Sequence, residues 1–321
     1  MTNKETEELK DGYIFDYISN EQVKATPEEI EAVQVFSRQL VEDYGYSKDQ
    51  IQTRPQYRVK ANPSDTTKSY PLDIIVFSDN KKIDTNEYII IECKKKTRND
   101  GITQLQDYLK FSNAYIGVWF NGNERIFLKK YETKGKVHFE EIPNIPLKGQ
   151  RLEDIGKFKR KDLKSTHNLK VIFNSIRNHL AGNATGTGSD EKIAQQLINI
   201  IFCKIYDEKF TKKDDNVSFR VGVEEEGKIV KNRIIELFEK VKTKYSEVIE
   251  VADEIKLDAD SVKYVVGELQ NFCLIESERD VIADAFETFI GYSLKGAQGQ
   301  FFTPRNVVKL MVEIINPQPN E

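Results

Sequence analysis

Two short runs constrain this chain more than any other feature: Leu72-Asp73-Ile74-Ile75-Val76-Phe77 and Tyr88-Ile89-Ile90-Ile91-Glu92-Cys93. Both are almost wholly apolar and rich in β-branched residues, the pattern of strands covered on both faces. Yet each carries a carboxylate, and Lys94 follows the second run directly. Charges held in such strands are costly unless they are paired or bound to a cation. Side chains two apart on a strand project from one face, so Glu92 and Lys94 share a face. If the two strands are neighbours, Asp73 reaches that face too, and two carboxylates converge beside one lysine.

The flanking segments supply the layers around these strands. Thr26-Pro27-Glu28-Glu29 predicts a helix start, with Thr26 as N-cap, Pro27 at the first helical position and Glu29 completing a capping box. Ile30, Val33, Phe36, Leu40 and Val41 then recur at helical spacing, up to a stop near Gly45. Extended segments are expected over 51–59, 72–77 and 88–93, a helix over 103–111, and strands over 115–120 and 125–131. The turn Asn121-Gly122-Asn123 makes the last two a hairpin. Beyond residue 150 nearly everything reads as helix, over 166–181, 189–208, 227–246, 258–272, 278–294 and 304–316. The glycine-rich stretch 182–189 lacks the lysine of a phosphate-binding GxxxxGK[ST] loop and follows a helix, so it reads as a flexible turn into an N-cap at Ser189.

Length and charge bound the rest. A chain of 321 residues suggests two domains. The division expected is 1–147, a basic linker over 148–165, and a helical region over 166–321. The 48 basic and 52 acidic residues give a net charge of −4, which excludes a polybasic nucleic-acid coat and makes any DNA contact local. One local candidate is 148–170, with eight lysines and arginines against three acids; it reads either as a solvated linker or as a phosphate-contacting surface. The three cysteines form no CxxC and the three histidines no HExxH, which excludes a disulfide scaffold and a histidine-built metal site and suits the reducing cytoplasm. The first ten residues are polar, without a signal-peptide core, and no stretch approaches the roughly 20 apolar residues of a membrane span.

The converging charges suit phosphodiester hydrolysis. Asp73 and Glu92 can hold a hard divalent cation through oxygen, Mg²⁺ first and Mn²⁺ as the alternative, with the Cys93 backbone carbonyl completing part of the shell. Lys94 can orient or deprotonate the attacking water or stabilise the transition state; the sequence leaves these roles open. The bland alternative is that Asp73 caps a strand, Glu92 and Lys94 form a structural ion pair, and Cys93 is a buried small hydrophobe.

Pro71-x-Asp73 with Glu92-x-Lys94 resembles the PD-(D/E)xK nuclease superfamily, with the departure that Leu72 separates the proline from the acid. Gln104 and Tyr108, four apart on one helix face, resemble the QxxxY motif of nuclease domains in type I restriction enzymes. Gly117-Val-Trp-Phe-Asn-Gly122 is similar to the same restriction-subunit family. The resemblance implies an α/β restriction-endonuclease-like N-terminal domain, a central mixed sheet flanked by helices, followed by an all-α C-terminal domain. It implies a catalytic set of Asp73, Glu92, Lys94, Gln104 and Tyr108. It also implies a further acid or amide from the first helix, for which Glu31 and Gln34 are the candidates.

Near the end, Gly299-Gln300-Phe301-Phe302-Thr303-Pro304 resembles the start of the N6-adenine DNA methyltransferase domain of type I modification subunits. Residues 197–208 resemble the helical domain that precedes it there. The resemblance implies that Gln300, Phe302, Thr303 and Pro304 border an S-adenosylmethionine pocket, in a longer chain only. The glycine-rich cofactor loop and the Asn-Pro-Pro-aromatic motif of that family are not found in the 321 residues, so no methylation is expected from this chain alone. The expectation is the Mg²⁺-dependent endonuclease part of a fused restriction-modification enzyme. Its partners would be double-stranded DNA, the missing methyltransferase and target-recognition regions in cis or in trans, and a transient second copy for double-strand cleavage, with no membrane. The rivals are a catalytically inactive module that docks DNA or a subunit, and a methyltransferase fragment of a truncated gene.

Overall fold

The computed structural model describes residues 9–60, 69–183, 190–246, 249 and 252–277. The helices expected over 278–294 and 304–316 lie outside those residues, as do Gln300, Phe302, Thr303, Pro304 and the Ser189 cap.

The chain opens with a hairpin, β1 (Tyr13–Phe15) against β2 (Gln22–Lys24). The first helix follows in two parts, a five-residue π-helical turn Glu29–Val33 and then α1 (Gln34–Glu42). Thr26 Oγ1 accepts the Glu29 N–H at 3.2 Å, so the N-cap holds. The capping box does not: Glu29 turns its carboxylate to Arg54 and Gln34 instead. The π turn also shifts the helical register. Ile30 faces solvent, while Ala32, Val33, Phe36 and Leu40 are buried.

The extended segment expected over 51–59 is two strands in different sheets. These are β3 (Ile51–Gln52) and β4 (Arg58–Lys60), and β4 pairs with β5 (Ser69–Pro71) as a ribbon of its own. Next come β6 (Ile74–Phe77), β7 (Glu87–Cys93), α2 (Ile102–Lys110), β8 (Ile116–Phe120), β9 (Arg125–Thr133) and β10 (Lys136–Ile142). The central sheet has six strands in the order β10-β9-β8-β7-β6-β3. Only β7 and β8 run parallel, with α2 as their crossover; every other pair is antiparallel. The sheet is therefore mixed, as expected, and β10 is an addition to the elements read from sequence.

Alternation along the strands builds two cores. Ile74, Val76, Ile89, Ile91, Val118 and Phe120 pack under the first helix. Ile75, Phe77, Ile90, Trp119 and Leu128 pack against Leu105 and Leu109 of α2. Gly117 is what lets α2 lie so close, because a Cβ there would come within 2.6 Å of Leu109 Cδ1.

The remaining elements are α3 (Leu169–Asn183), α4 (Asp190–Phe210), α5 (Gly227–Lys244) and α6 (Ala259–Leu269), which share a third apolar core. Gly182, assigned to a turn from the sequence, lies within α3. The basic segment between the two regions is folded onto both. Ile155 enters the core under the first helix, and Phe158 and Leu163 pack with Val217 and Cys273. Lys159 and Lys164 make backbone bridges to Asn216 and Phe272, and Arg160 is buried against the Glu208 carbonyl.

The contact between sheet and helices carries buried polar groups. Arg125, at the start of β9, forms a buried ion pair with Glu268 of α6. Tyr44 donates to Asn144 Oδ1 at 2.7 Å, and Asn144 donates to the Gly267 carbonyl at 3.1 Å. Asp43 accepts from Thr166 and Asn168. Removing one partner of a buried pair leaves the other charge uncompensated. Arg125→Met is thus expected to destabilise the protein by about 3–5 kcal/mol, and adding Glu268→Leu to recover most of that loss. Urea unfolding of the two variants tests this; equal destabilisation in both would contradict it.

Candidate active site

The register that joins β6 to β7 sets Ile75 opposite Ile90 and Ile74 opposite Ile91. Asp73 directly precedes β6 and Glu92 follows Ile91, so the two acids lie at the same end of this pair. Asp73, Glu92 and Lys94 all lie on the α2 side of the sheet, the side of Ile75 and Ile90. The shared face expected from strand periodicity is therefore present. Asp73 Oδ2 accepts the Cys93 backbone N–H at 2.8 Å. Glu92 is buried and ion-paired with Lys94, itself 7% exposed.

The helix α2 completes the cluster. Gln104 Oε1 lies 3.5 Å from the Lys94 ammonium, and Gln104 Nε2 donates to the Tyr108 hydroxyl at 2.5 Å. The i, i+4 spacing places the two on one face, and that face looks at Lys94. Cys93, one residue from Glu92, points the other way into the core under the first helix. Burial pushes its thiol well above the usual range, so its side chain is a buried hydrophobe.

The loop from Lys94 to the start of α2 is clamped by the segment 117–122. The Trp119 indole donates to the Asp100 carbonyl at 2.8 Å, and the Asn121 amide donates to the Arg98 carbonyl at 3.0 Å. Asn121 Oδ1 meanwhile accepts the N–H groups of Asn123 and Glu124, closing the β8–β9 turn. Gly101 sits at φ +106°, and a Cβ there would lie 2.7 Å from Lys94 Cε. That glycine is the space through which the lysine stem passes.

The two candidates from the first helix are placed differently. Gln34 turns away, accepting from the Tyr17 N–H and donating to Asp16 and Glu29. Glu31 lies at the rim, where it accepts the Lys96 N–H at 3.4 Å. Glu28 is the acid whose charge bears on the cluster, raising the affinity of both Asp73 and Glu92 for protons. Sequence reasoning assigns Glu28 only to the helix start.

The carboxylates are under-neutralised. Burial pushes Asp73 up to about 6, against the Cys93 N–H and Lys94, which pull it down. Burial, followed by the Asp73 charge, pushes Glu92 up to about 7. Burial pulls Lys94 down, but Glu92 and Asp73 outweigh it and the ammonium is held above its usual range. Among the described residues no group of three or more His, Cys, Asp or Glu side chains converges as a ready metal cage. Two sheltered carboxylates with one lysine between them do fit an ion such as Mg²⁺, which takes one or two carboxylates and keeps several waters.

The raised Asp73 makes stability depend on pH. Its folded pKa lies above the unfolded value of about 4, so the folded state binds more protons between about pH 4 and 6. Its contribution to stability is present below that window and lost as pH rises through it. Asp73→Asn keeps an acceptor for the Cys93 N–H and removes the sheltered charge. It is expected to raise the melting temperature at pH 8, with the gain shrinking toward pH 4. A calorimetric scan at the two pH values would show an unchanged or lowered value at pH 8 if the carboxylate is not under strain.

Two segments match known families. Residues 27–146, which hold the whole cluster, match the type I restriction enzyme R protein N terminus. Residues 277–321 match the N-6 DNA methylase family. No curated protein matches the chain. Among the described residues no helix is long and apolar enough to cross a membrane. In one polypeptide, then, a segment that matches the restriction-subunit N terminus precedes one that matches the N-6 DNA methylase family, and the pair supports a restriction-modification enzyme.

Proposed function

We propose that residues 27–146 are a Mg²⁺-dependent DNA endonuclease module of the PD-(D/E)xK type, hydrolysing phosphodiester bonds. The observation that carries this is the meeting of Asp73, Glu92 and Lys94 on one covered sheet face, with both carboxylates raised. A site left short of positive charge has affinity for a cation. Asp73, Glu92 and the Cys93 carbonyl would hold Mg²⁺, with Mn²⁺ as an alternative, and Glu28 adds a third negative charge close by. The bound ion would lower the pKa of water and screen the charge that develops on the phosphate.

Lys94 is placed to act on the attacking water or on a phosphate oxygen. Its raised pKa keeps it protonated at neutral pH, which favours orientation and charge stabilisation over proton abstraction. Gln104 holds the ammonium from the α2 side, and Tyr108 holds Gln104. Double-stranded DNA is the substrate in this reading, the methyltransferase and target-recognition regions lie elsewhere in the enzyme, and a second copy is recruited for double-strand cleavage. S-adenosylmethionine belongs to a longer chain. Lys95 and Lys96 extend exposed beyond the strand end, where a phosphate backbone would pass.

Nicking of supercoiled plasmid by the 321-residue chain in Mg²⁺ tests the proposal. Asp73→Ala and Lys94→Ala are each expected to slow nicking by roughly 100-fold or more. Gly101→Ala is expected to slow it by about 10- to 100-fold, by displacing the Lys94 stem while leaving every charge in place. Nicking at the wild-type rate in the first two variants would remove the assignment. The raised carboxylates add a pH dependence. Protons compete with the cation as pH falls toward 7 and then 6, so half-maximal nicking is expected to need more Mg²⁺ at pH 6 than at pH 8.

A further inference from the structure

Two aromatic side chains beside the site take no part in the cluster described above. Tyr70 on β5 and Phe111, at the C-terminal end of α2, are 39% and 37% exposed. Their ring planes are 22° apart, with centroids separated by 6.2 Å. Tyr70 also borders Tyr108, at 6.1 Å between centroids. Tyr108 holds Gln104, and Gln104 meets Lys94. A continuous series of contacts therefore runs from the reactive lysine to an exposed aromatic surface.

The ribbon that carries Tyr70 is built to hold it there. β4 and β5 pair only with each other, apart from the main sheet. Val59, opposite Tyr70 in the register, is buried in the α2-side core and fixes the side on which Tyr70 lies. The other side of the ribbon bears the exposed Arg58 and Lys60. Arg58 donates to Ser69 Oγ at 2.7 Å and to the Ser69 carbonyl at 2.8 Å, bracing β5 just before Asp73. Exposed aromatic faces are what an unpaired base needs, because a ring stacks on any base whatever the sequence. A base inside a duplex already has neighbours on both faces, so only an unpaired base can use such a surface.

We propose that Tyr70 and Phe111 are a stacking ledge for an unpaired nucleobase of the strand whose phosphate enters the Asp73–Glu92–Lys94 site. The preferred substrate is then DNA with unpaired bases next to the scissile bond. This rests on the nuclease reading for the arrival of the strand, but the ledge can be read by binding alone.

The test is fluorescence anisotropy without divalent cation, comparing a fully paired duplex with the same duplex carrying a short single-stranded gap. The wild-type chain is expected to bind the gapped DNA roughly tenfold tighter or more. Tyr70→Ala combined with Phe111→Ala is expected to abolish that preference and leave duplex binding unchanged. Tyr70→Trp, which keeps a ring, is expected to retain it and guards against a folding artefact. Equal wild-type affinity for the two DNAs, or a preference that survives the double substitution, overturns the ledge. The two proposals fail separately. A gap preference without Mg²⁺-dependent nicking sinks the nuclease reading and leaves the ledge standing, and nicking without a gap preference does the reverse.

Discussion

The structure depends on bringing three charges together at the end of a largely buried strand. Glu92 and Lys94 are buried, and Asp73 faces them from the next strand. A sheet covered on both faces leaves Glu92 and Lys94 little water and Asp73 only part of its hydration, so the protein supplies their partners. Lys94 serves Glu92, and the Cys93 N–H serves Asp73. One ammonium for two carboxylates leaves a residual negative charge, and Glu28 adds to it. Sites that are costly to fold in this way are where proteins concentrate chemistry. The mixed topology is part of the same solution, since the parallel β7–α2–β8 unit is what sets α2 against the strand that bears Glu92 and Lys94.

The segment from Gly117 to Gly122 acts as the scaffold of that arrangement, and each of its marked residues has a distinct physical task. Gly117 admits α2 to the sheet, and Trp119 and Asn121 hold the loop that leads away from Lys94. Gly122, at φ +84°, brings the β8–β9 turn against the Glu31 carbonyl, where a Cβ would lie at 2.5 Å. The turn thereby ties the first helix to the strand end. Both glycines are required by close approach, and neither could be replaced without moving an element that frames the site.

Local periodicity makes much of this arrangement legible in the amino-acid sequence. A period of two puts Glu92 and Lys94 on one face, and an interval of four does the same for Gln104 and Tyr108. The Asn-Gly turn predicts the β8–β9 hairpin. What escapes is set by non-local or irregular features. The π turn at Glu29–Val33 breaks the helical period, and regular spacing therefore places Ile30 in the core although it faces solvent. The strands β1 and β2 have three residues each, too short to show alternation. β10 stays exposed over most of its length, so it lacks the apolar signature of an inner strand. In the basic segment, charge masks the three apolar anchors Ile155, Phe158 and Leu163, which decide that it packs. The second half of Gln104's role, its contact with Lys94, needs the crossover geometry and cannot come from spacing.

The same geometry ties the helical region to Lys94 by short steps. Glu268 on α6 holds Arg125 at the first position of β9. Arg125 pairs in register with Phe120, the last residue of β8. The Phe120 carbonyl accepts the Lys94 N–H at 2.9 Å. The turn between Phe120 and Arg125 is also the one whose Asn121 clamps the loop beyond Lys94. The helical unit is therefore anchored at the base of the element that frames the site, and by a charge pair rather than by apolar surface alone. Losing either partner of a buried ion pair leaves the other charge uncompensated, so the contact is costly to break. Tyr44, Asn144 and Asp43 add directional hydrogen bonds around it. Such an interface fixes the orientation of the strand end that presents Lys94. The buried pair thus sets the helices against the base of the β8–β9 turn, next to the strand end that presents Lys94.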